Sequence, residues 1–244
     1  MVARKLADPL SFAALVLLVI VSLLALDSGA SAQQQLLTGA ATWGILIAAC
    51  MSLSAEERGR VALVVVIASC AEVLGSIIIG AYVYRLGNLP AFVPPGHGLV
   101  YLAGLRISQS MPIMRHPKAF ARAAASAVTI WAAVGLVLLD RTDVLGGLAG
   151  VLLAFMLLKG RTPTLYAGVF VMVAVLELYG TAIGAWHWAG AVPGTPIGAG
   201  NPPSGIASIY VLFDVAAIAL APRLLSALDS VRRLPRLVQP ATTS

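Results

Sequence analysis

The chain has 244 residues, 59% of them hydrophobic and 11% charged, with a mean hydropathy of +0.93 and a net charge of +6. This composition excludes an ordinary soluble domain and points to an all-α polytopic membrane protein. Two cysteines, Cys50 and Cys70, lie inside apolar runs and give no disulfide framework.

Eight apolar runs are long enough to cross a hydrocarbon core of about 30 Å as helices: residues 10–26, 36–53, 61–83, 97–114, 120–139, 143–158, 165–188 and 205–222. They are continuous rather than alternating, which sets a membrane β-barrel aside. The first run has a competing reading as a secretory signal, because Arg4 and Lys5 precede it and Ala30-Ser31-Ala32 resembles a cleavage site that would remove residues 1–32. Against that, the run is longer than most signal cores, and the fifth run provides it with a counterpart.

The stretch from Glu72 to Gly98 recurs about 105 residues later. Glu72, Gly75, Gly80, Ala81, Tyr82 and Tyr84 have Glu177, Gly180, Gly184, Ala185, Trp186 and Trp188 as counterparts. After a longer loop, Pro94, Gly96 and Tyr101 answer to Pro203, Gly205 and Tyr210. A match of this length implies a duplicated unit. The expected organisation is a first four-helix repeat over 1–114, a second over 115–222 and a basic amphipathic tail over 223–244. Four crossings per unit give both units one orientation, related by a pseudo-twofold along the membrane normal.

Lys and Arg fix that orientation. With the N-terminus inside, Arg4, Lys5, Arg58, Arg60, Arg115, Lys118, Arg122, Lys159, Arg161, Arg223, Arg232, Arg233 and Arg236 are cytoplasmic, and only Arg85 and Arg141 are external. The positive charge is a topology signal of a cell (inner) membrane protein with both termini cytoplasmic, and nucleic acid is not an expected partner. In the tail, Leu224, Leu228 and Val231 at helical spacing, beside Arg232 and Arg233, suit anionic lipid headgroups; a simple topology anchor explains them equally well.

Four ionisable residues fall near the middle of expected helices: Glu72, Arg106, Glu177 and Asp214. Each costs about 2.5–3.5 kcal/mol at a helix centre, so each should face the bundle interior, pair or be neutral. Arg106 and Asp214 lie five and four residues beyond the matched Tyr101 and Tyr210, and a structural ion pair is expected. Glu72 and Glu177 then remain as candidate catalytic residues, one a carboxylic acid beside one carboxylate; helix packing through hydrogen bonds is the plainer alternative.

Tyr82, Tyr84, Trp186, Trp188, His97 and His187 are candidate substrate-binding residues. The i, i+2 aromatic pairs at helix ends suit either an interfacial belt or a pocket mouth with rings on two sides of the helix. The histidines lack metal-ligand spacing, and neither a metal nor a cofactor is expected. Gly75, Gly80, Gly180 and Gly184 read as helix-packing positions. The Pro/Gly-rich turns after Leu89 and after Val192 are too long for plain connectors and suit caps over a cavity, or stiff external loops. No phosphate-binding loop and no nucleophile elbow occurs.

The pattern Glu72-x-x-Gly75, then Gly80-Ala81-Tyr82-x-Tyr84-x-Leu86-Gly87, then Val93-Pro94, resembles the signature of the carotenoid hydratase family that includes the bisanhydrobacterioruberin hydratases. The resemblance covers about thirty residues of the first half and implies a polytopic membrane protein that adds water to the end of a long isoprenoid. The PPGHG segment and the Gly-Pro loop after Trp188 depart from the pattern. Acid-catalysed hydration or cyclisation of a double bond suits the residues, since it needs a proton donor and aromatic rings around a carbocation. A proton-coupled carrier of a small or lipidic solute uses the same outline of repeats and midplane acids. A membrane scaffold has little use for three such acids.

Overall fold

The computed structural model describes residues 8–237; the side chains of 228, 229 and 231–237 lie outside the described set, and with them most of the expected basic tail, including Arg232, Arg233 and Arg236. Within it are nine α-helices: α1 (Pro9–Asp27), α2 (Ala32–Cys50), α3 (Ala55–Glu72), α4 (Val93–Ser108), the short α5 (Met111–Arg115), α6 (Pro117–Val137), α7 (Val144–Lys159), α8 (Pro163–Ala182) and α9 (Ala207–Leu237). Helix α3 continues as a π-helical segment, Val73–Ile79. Two short strands, β1 (Tyr82–Tyr84) and β2 (Trp186–Trp188), complete the fold. Five helical segments are long and apolar enough to cross a membrane: Pro9–Asp27, Ala55–Ile79, Pro117–Val137, Pro163–Ala182 and Ala207–Ala227.

Local chemistry places the helix starts. Ser31 with Gln34 and Ser54 with Glu57 form reciprocal capping boxes at the heads of α2 and α3. Pro94, Pro117 and Pro163 sit in first turns, where a missing N–H costs nothing. The outer faces are apolar: Leu37, Val151 and Phe155 are 71%, 72% and 63% exposed, which suits hydrocarbon as solvent. At the centre, α4 and α8 cross in backbone contact. A Cβ on Gly168 would stand 2.5 Å from the Gly104 carbonyl oxygen, so these two glycines supply the close helix packing expected instead of Gly75 and Gly180.

Two expected helices end early. The runs 61–83 and 165–188 break at Gly80 and Gly184, whose φ values of +71° and +72° are left-handed and favour glycine. The aromatic triplets that follow leave the helix and pair as antiparallel strands, with Tyr82 opposite Trp188, Val83 opposite His187 and Tyr84 opposite Trp186.

The expected Arg106–Asp214 ion pair is not formed. Helix α4 starts at Val93 and stops at Ser108, before the Pro112 turn, so Arg106 sits in a last turn, where the helix dipole suits a cation, and not at mid-helix. Its guanidinium donates to Gln109 (3.1 Å) and lies 5.9 Å from the centre of the Phe12 ring. Asp214 is buried on α9, and its Oδ2 has no hydrogen-bond partner among the described residues. Asp214→Asn is therefore expected to change thermal stability in detergent by less than about 1 kcal/mol, against about 3–5 kcal/mol for severing a true buried pair; a large loss would restore the pair.

Candidate functional site

Glu72, Glu177, both aromatic pairs and His97 line one cavity of about 370 Å³ near the β1–β2 end of the bundle. Its wall draws on α1 (Ile20, Leu24), α2 (Thr42), α3 with its π segment, and α4, α7, α8 and α9. Phe92, Val192 and Pro203 bring the two Pro/Gly-rich loops into the wall as caps. Helix α1, the segment with a second reading as a signal, is thus part of the site.

The strands explain how four aromatic rings converge. Side chains in a strand alternate, so i and i+2 share a face. Tyr84, Trp186 and Trp188 are buried and Tyr82 is half-buried, while His187, between two inward rings, is exposed. The expectation of rings on two sides of a helix end is corrected by this change of period, and His187 leaves the site for the same reason. Tyr82 and Trp188 pack with ring centroids 4.6 Å apart, Tyr84 and Trp186 6.0 Å apart. Gly75 and Gly180 make this possible. A Cβ at Gly75 would meet the Tyr82 ring at 2.9 Å, and one at Gly180 would meet the Trp186 ring at 2.0 Å.

Each pair of rings delivers its polar edges to the glutamate of its own stretch. Tyr82 and Tyr84 donate their hydroxyls to Glu72 Oε2 at 2.7 and 2.8 Å. His97 Nε2 lies 2.9 Å from Glu72 Oε1 and donates to it when that nitrogen holds the ring proton. Trp186 and Trp188 donate their indole N–H groups to Glu177 Oε2 at 3.1 and 3.2 Å. No described side chain completes a hydrogen bond to Glu177 Oε1, although the Tyr210 hydroxyl lies nearby. The two carboxyls are therefore dressed unequally. Glu72 meets three donors, the complement an acceptor-only carboxylate requires, whereas Glu177 meets two indole N–H groups on one oxygen, with the Tyr210 hydroxyl beside it.

Tyr210 and Phe213 complete the site and were not among the expected residues. The His97 ring stacks on Tyr210 at 4.9 Å and meets Phe213 edge-on at 6.0 Å. The signal for them was present: Ile206, Ile209, Tyr210 and Phe213 recur at i, i+3, i+4 and i+7 and all line the cavity.

The outer loops are held by buried polar groups. Asp143, the N-cap of α7, accepts from Gly146 N (2.9 Å), Gly200 N (2.7 Å), Ser204 N (2.7 Å) and Ser204 Oγ (2.8 Å). Asn201 Oδ1 accepts from Trp188 N at 2.8 Å, and Arg141 donates to the carbonyls of Trp188 and Ala189. In the other loop, Gln35 joins Asp27 (2.6 Å) to Asn88 (2.9 Å). These contacts fix the strand that presents Trp186 and Trp188, on a closed loop rather than a loose one.

No family model matches the chain, and no curated protein and no solved structure matches it either.

Proposed function

We propose that this is an intramembrane enzyme that adds a proton to a double bond of an apolar lipid or isoprenoid, leading to hydration or cyclisation. The observation that carries this reading is the pairing of two unequally bonded glutamates in one apolar, aromatic-walled cavity. Glu177, whose two indole donors both meet Oε2, acts as proton donor through Oε1; Glu72, met by three donors, acts as the charged partner. The π electrons of the alkene take the proton from Glu177 Oε1 and become a C–H bond, leaving a cation on the neighbouring carbon. The Glu72 carboxylate and the surrounding rings stabilise that cation, a cation–π contact being worth about 2 kcal/mol or more in a dry site. Water then captures it and loses one proton, or a second double bond of the same chain attacks it to close a ring and the new cation sheds a proton from an adjacent carbon. That proton returns to Glu177, so the cycle balances.

The resemblance to carotenoid hydratases points to the same chemistry. A proton-coupled carrier would use the same acids, but one for a small polar solute gains nothing from a wall of aliphatic and aromatic side chains. Comparing lipid and pigment profiles of cells with and without the protein tests the reading. A precursor that accumulates without the protein, one water lighter than its product or isomeric with it, supports it; identical profiles count against it.

We also infer eight crossings in two like-oriented four-helix units with cytoplasmic termini. Paired breaks at Gly80 and Gly184 and the antiparallel register of β1 with β2 support this, since a twofold axis through Val83 and His187 exchanges the two strands. Reporter fusions at Ser244 should read inside and near Gly194 outside, and the reverse would overturn the arrangement.

A further inference from the structure

Of the residues that line the cavity, three are exposed: Leu74 (50%), Ile79 (44%) and Ile209 (41%). They cluster. Leu74 and Ile79 belong to the π-helical continuation of α3, and Ile209 lies in the first turn of α9. Helix α9 packs closely along α3 but hardly touches the π segment, so the two elements part where the cavity lies. The parting has a local cause. A π turn widens the helix and shifts its face, and the segment ends in the left-handed Gly80, which turns the chain inward toward Tyr82. Its rim is made of three aliphatic side chains, and a polar solute would lose its hydration there without compensation.

We propose that this gap is a lateral portal through which the end of a linear apolar chain enters from the bilayer while the rest of the chain stays in the hydrocarbon. The inference rests on the reading of the cavity as a lipid site and adds where and how the lipid reaches it. The strands and the capping loops line the cavity at the β1–β2 end, so the chain approaches the glutamates from the side, end first.

Fluorescence of Trp186 and Trp188 tests the portal without knowledge of the natural substrate. Trp43 is 41% exposed and Trp131 half-buried, and neither lines this cavity, so W43F/W131F leaves only the two cavity tryptophans as reporters. In vesicles of phosphatidylcholine with brominated acyl chains, their emission should fall relative to unbrominated vesicles, because bromine quenches on contact. Leu74→Phe with Ile209→Phe should restore most of that emission. Val151→Phe, on the outer face of α7 and away from the cavity, should leave the quenching unchanged. Circular dichroism of each variant confirms that it is folded. Absence of quenching in the parent, or quenching indifferent to Leu74→Phe with Ile209→Phe, overturns the portal. If quenching follows the portal variants while the glutamate variants keep full activity, the portal stands and the proposed chemistry falls.

Discussion

Glu177→Gln is expected to abolish conversion of the accumulating precursor, and Glu72→Gln to weaken it, with both proteins made at near-normal levels. Glutamine keeps the volume and an oxygen for the Trp186 and Trp188 N–H groups, so the loss at Glu177 is that of the transferable proton. General acid catalysis contributes about 10²–10⁴-fold, and Glu177→Gln should cost that much. At Glu72 an amide still accepts from Tyr82 and Tyr84 but no longer balances positive charge. A charged hydrogen bond is worth about 1.5–3 kcal/mol, which corresponds to about 10–100-fold in rate. The order of the two effects carries the role assignment. If Glu72→Gln is the dead variant and Glu177→Gln the weak one, donor and charged partner are exchanged; if neither changes turnover, the glutamates only pack helices.

Asp143→Ala should be the most damaging substitution outside the cavity. It leaves the N–H groups of Gly146, Gly200 and Ser204 and the Ser204 hydroxyl without their shared buried acceptor. Leaving a buried donor unsatisfied costs about 1–3 kcal/mol, so several together approach the whole stability of a domain. The capping loop that carries Asn201 and Pro203 should then detach, freeing the Trp188 backbone. A large drop in detergent melting temperature, with brighter solvent exposure of the cavity tryptophans, is the expected readout. Asp143→Asn, which retains one acceptor oxygen, should fall in between. A stability close to wild type in Asp143→Ala would mean that the loop is held by other contacts.

The glutamates and aromatics that line the cavity are legible because their chemistry is out of place in an apolar chain. Glu72 and Glu177 stand out as acids in hydrocarbon, and their recurrence at one offset, each followed by two aromatics, marks them as parts of one design. What spacing could not reveal was the local backbone. Spacing alone puts Tyr82, Tyr84, Trp186 and Trp188 on helical geometry, whereas a left-handed glycine just upstream converts each run into a strand. That single change of period moves four rings inward and His187 outward. Arg106 misled for a similar reason: its depth depends on where α4 stops, and the Pro112 turn shortens the helix by several residues relative to the apolar run. Asp214 then loses its expected partner. Tyr210 and Phe213 were within reach of periodicity, since they continue the stripe of Ile206 on α9, but a stripe of apolar residues looks alike whether it faces a core or a cavity. The π segment left no mark in composition at all, because Leu74 and Ile79 are ordinary residues for a membrane helix and only their geometry sets them apart.

Proton transfer to carbon is the central claim, and deuterium reports it directly. The protein in vesicles, supplied with lipids extracted from cells that lack it, is incubated in D₂O, and the recovered lipids are washed in H₂O and weighed by mass spectrometry. Deuterium on oxygen washes out, while deuterium delivered by Glu177 to carbon stays. The account predicts a lipid that gains carbon-bound deuterium with the wild-type protein and does not with Glu177→Gln. Carbon-bound deuterium absent with the wild type, or equal in the two proteins, would contradict it.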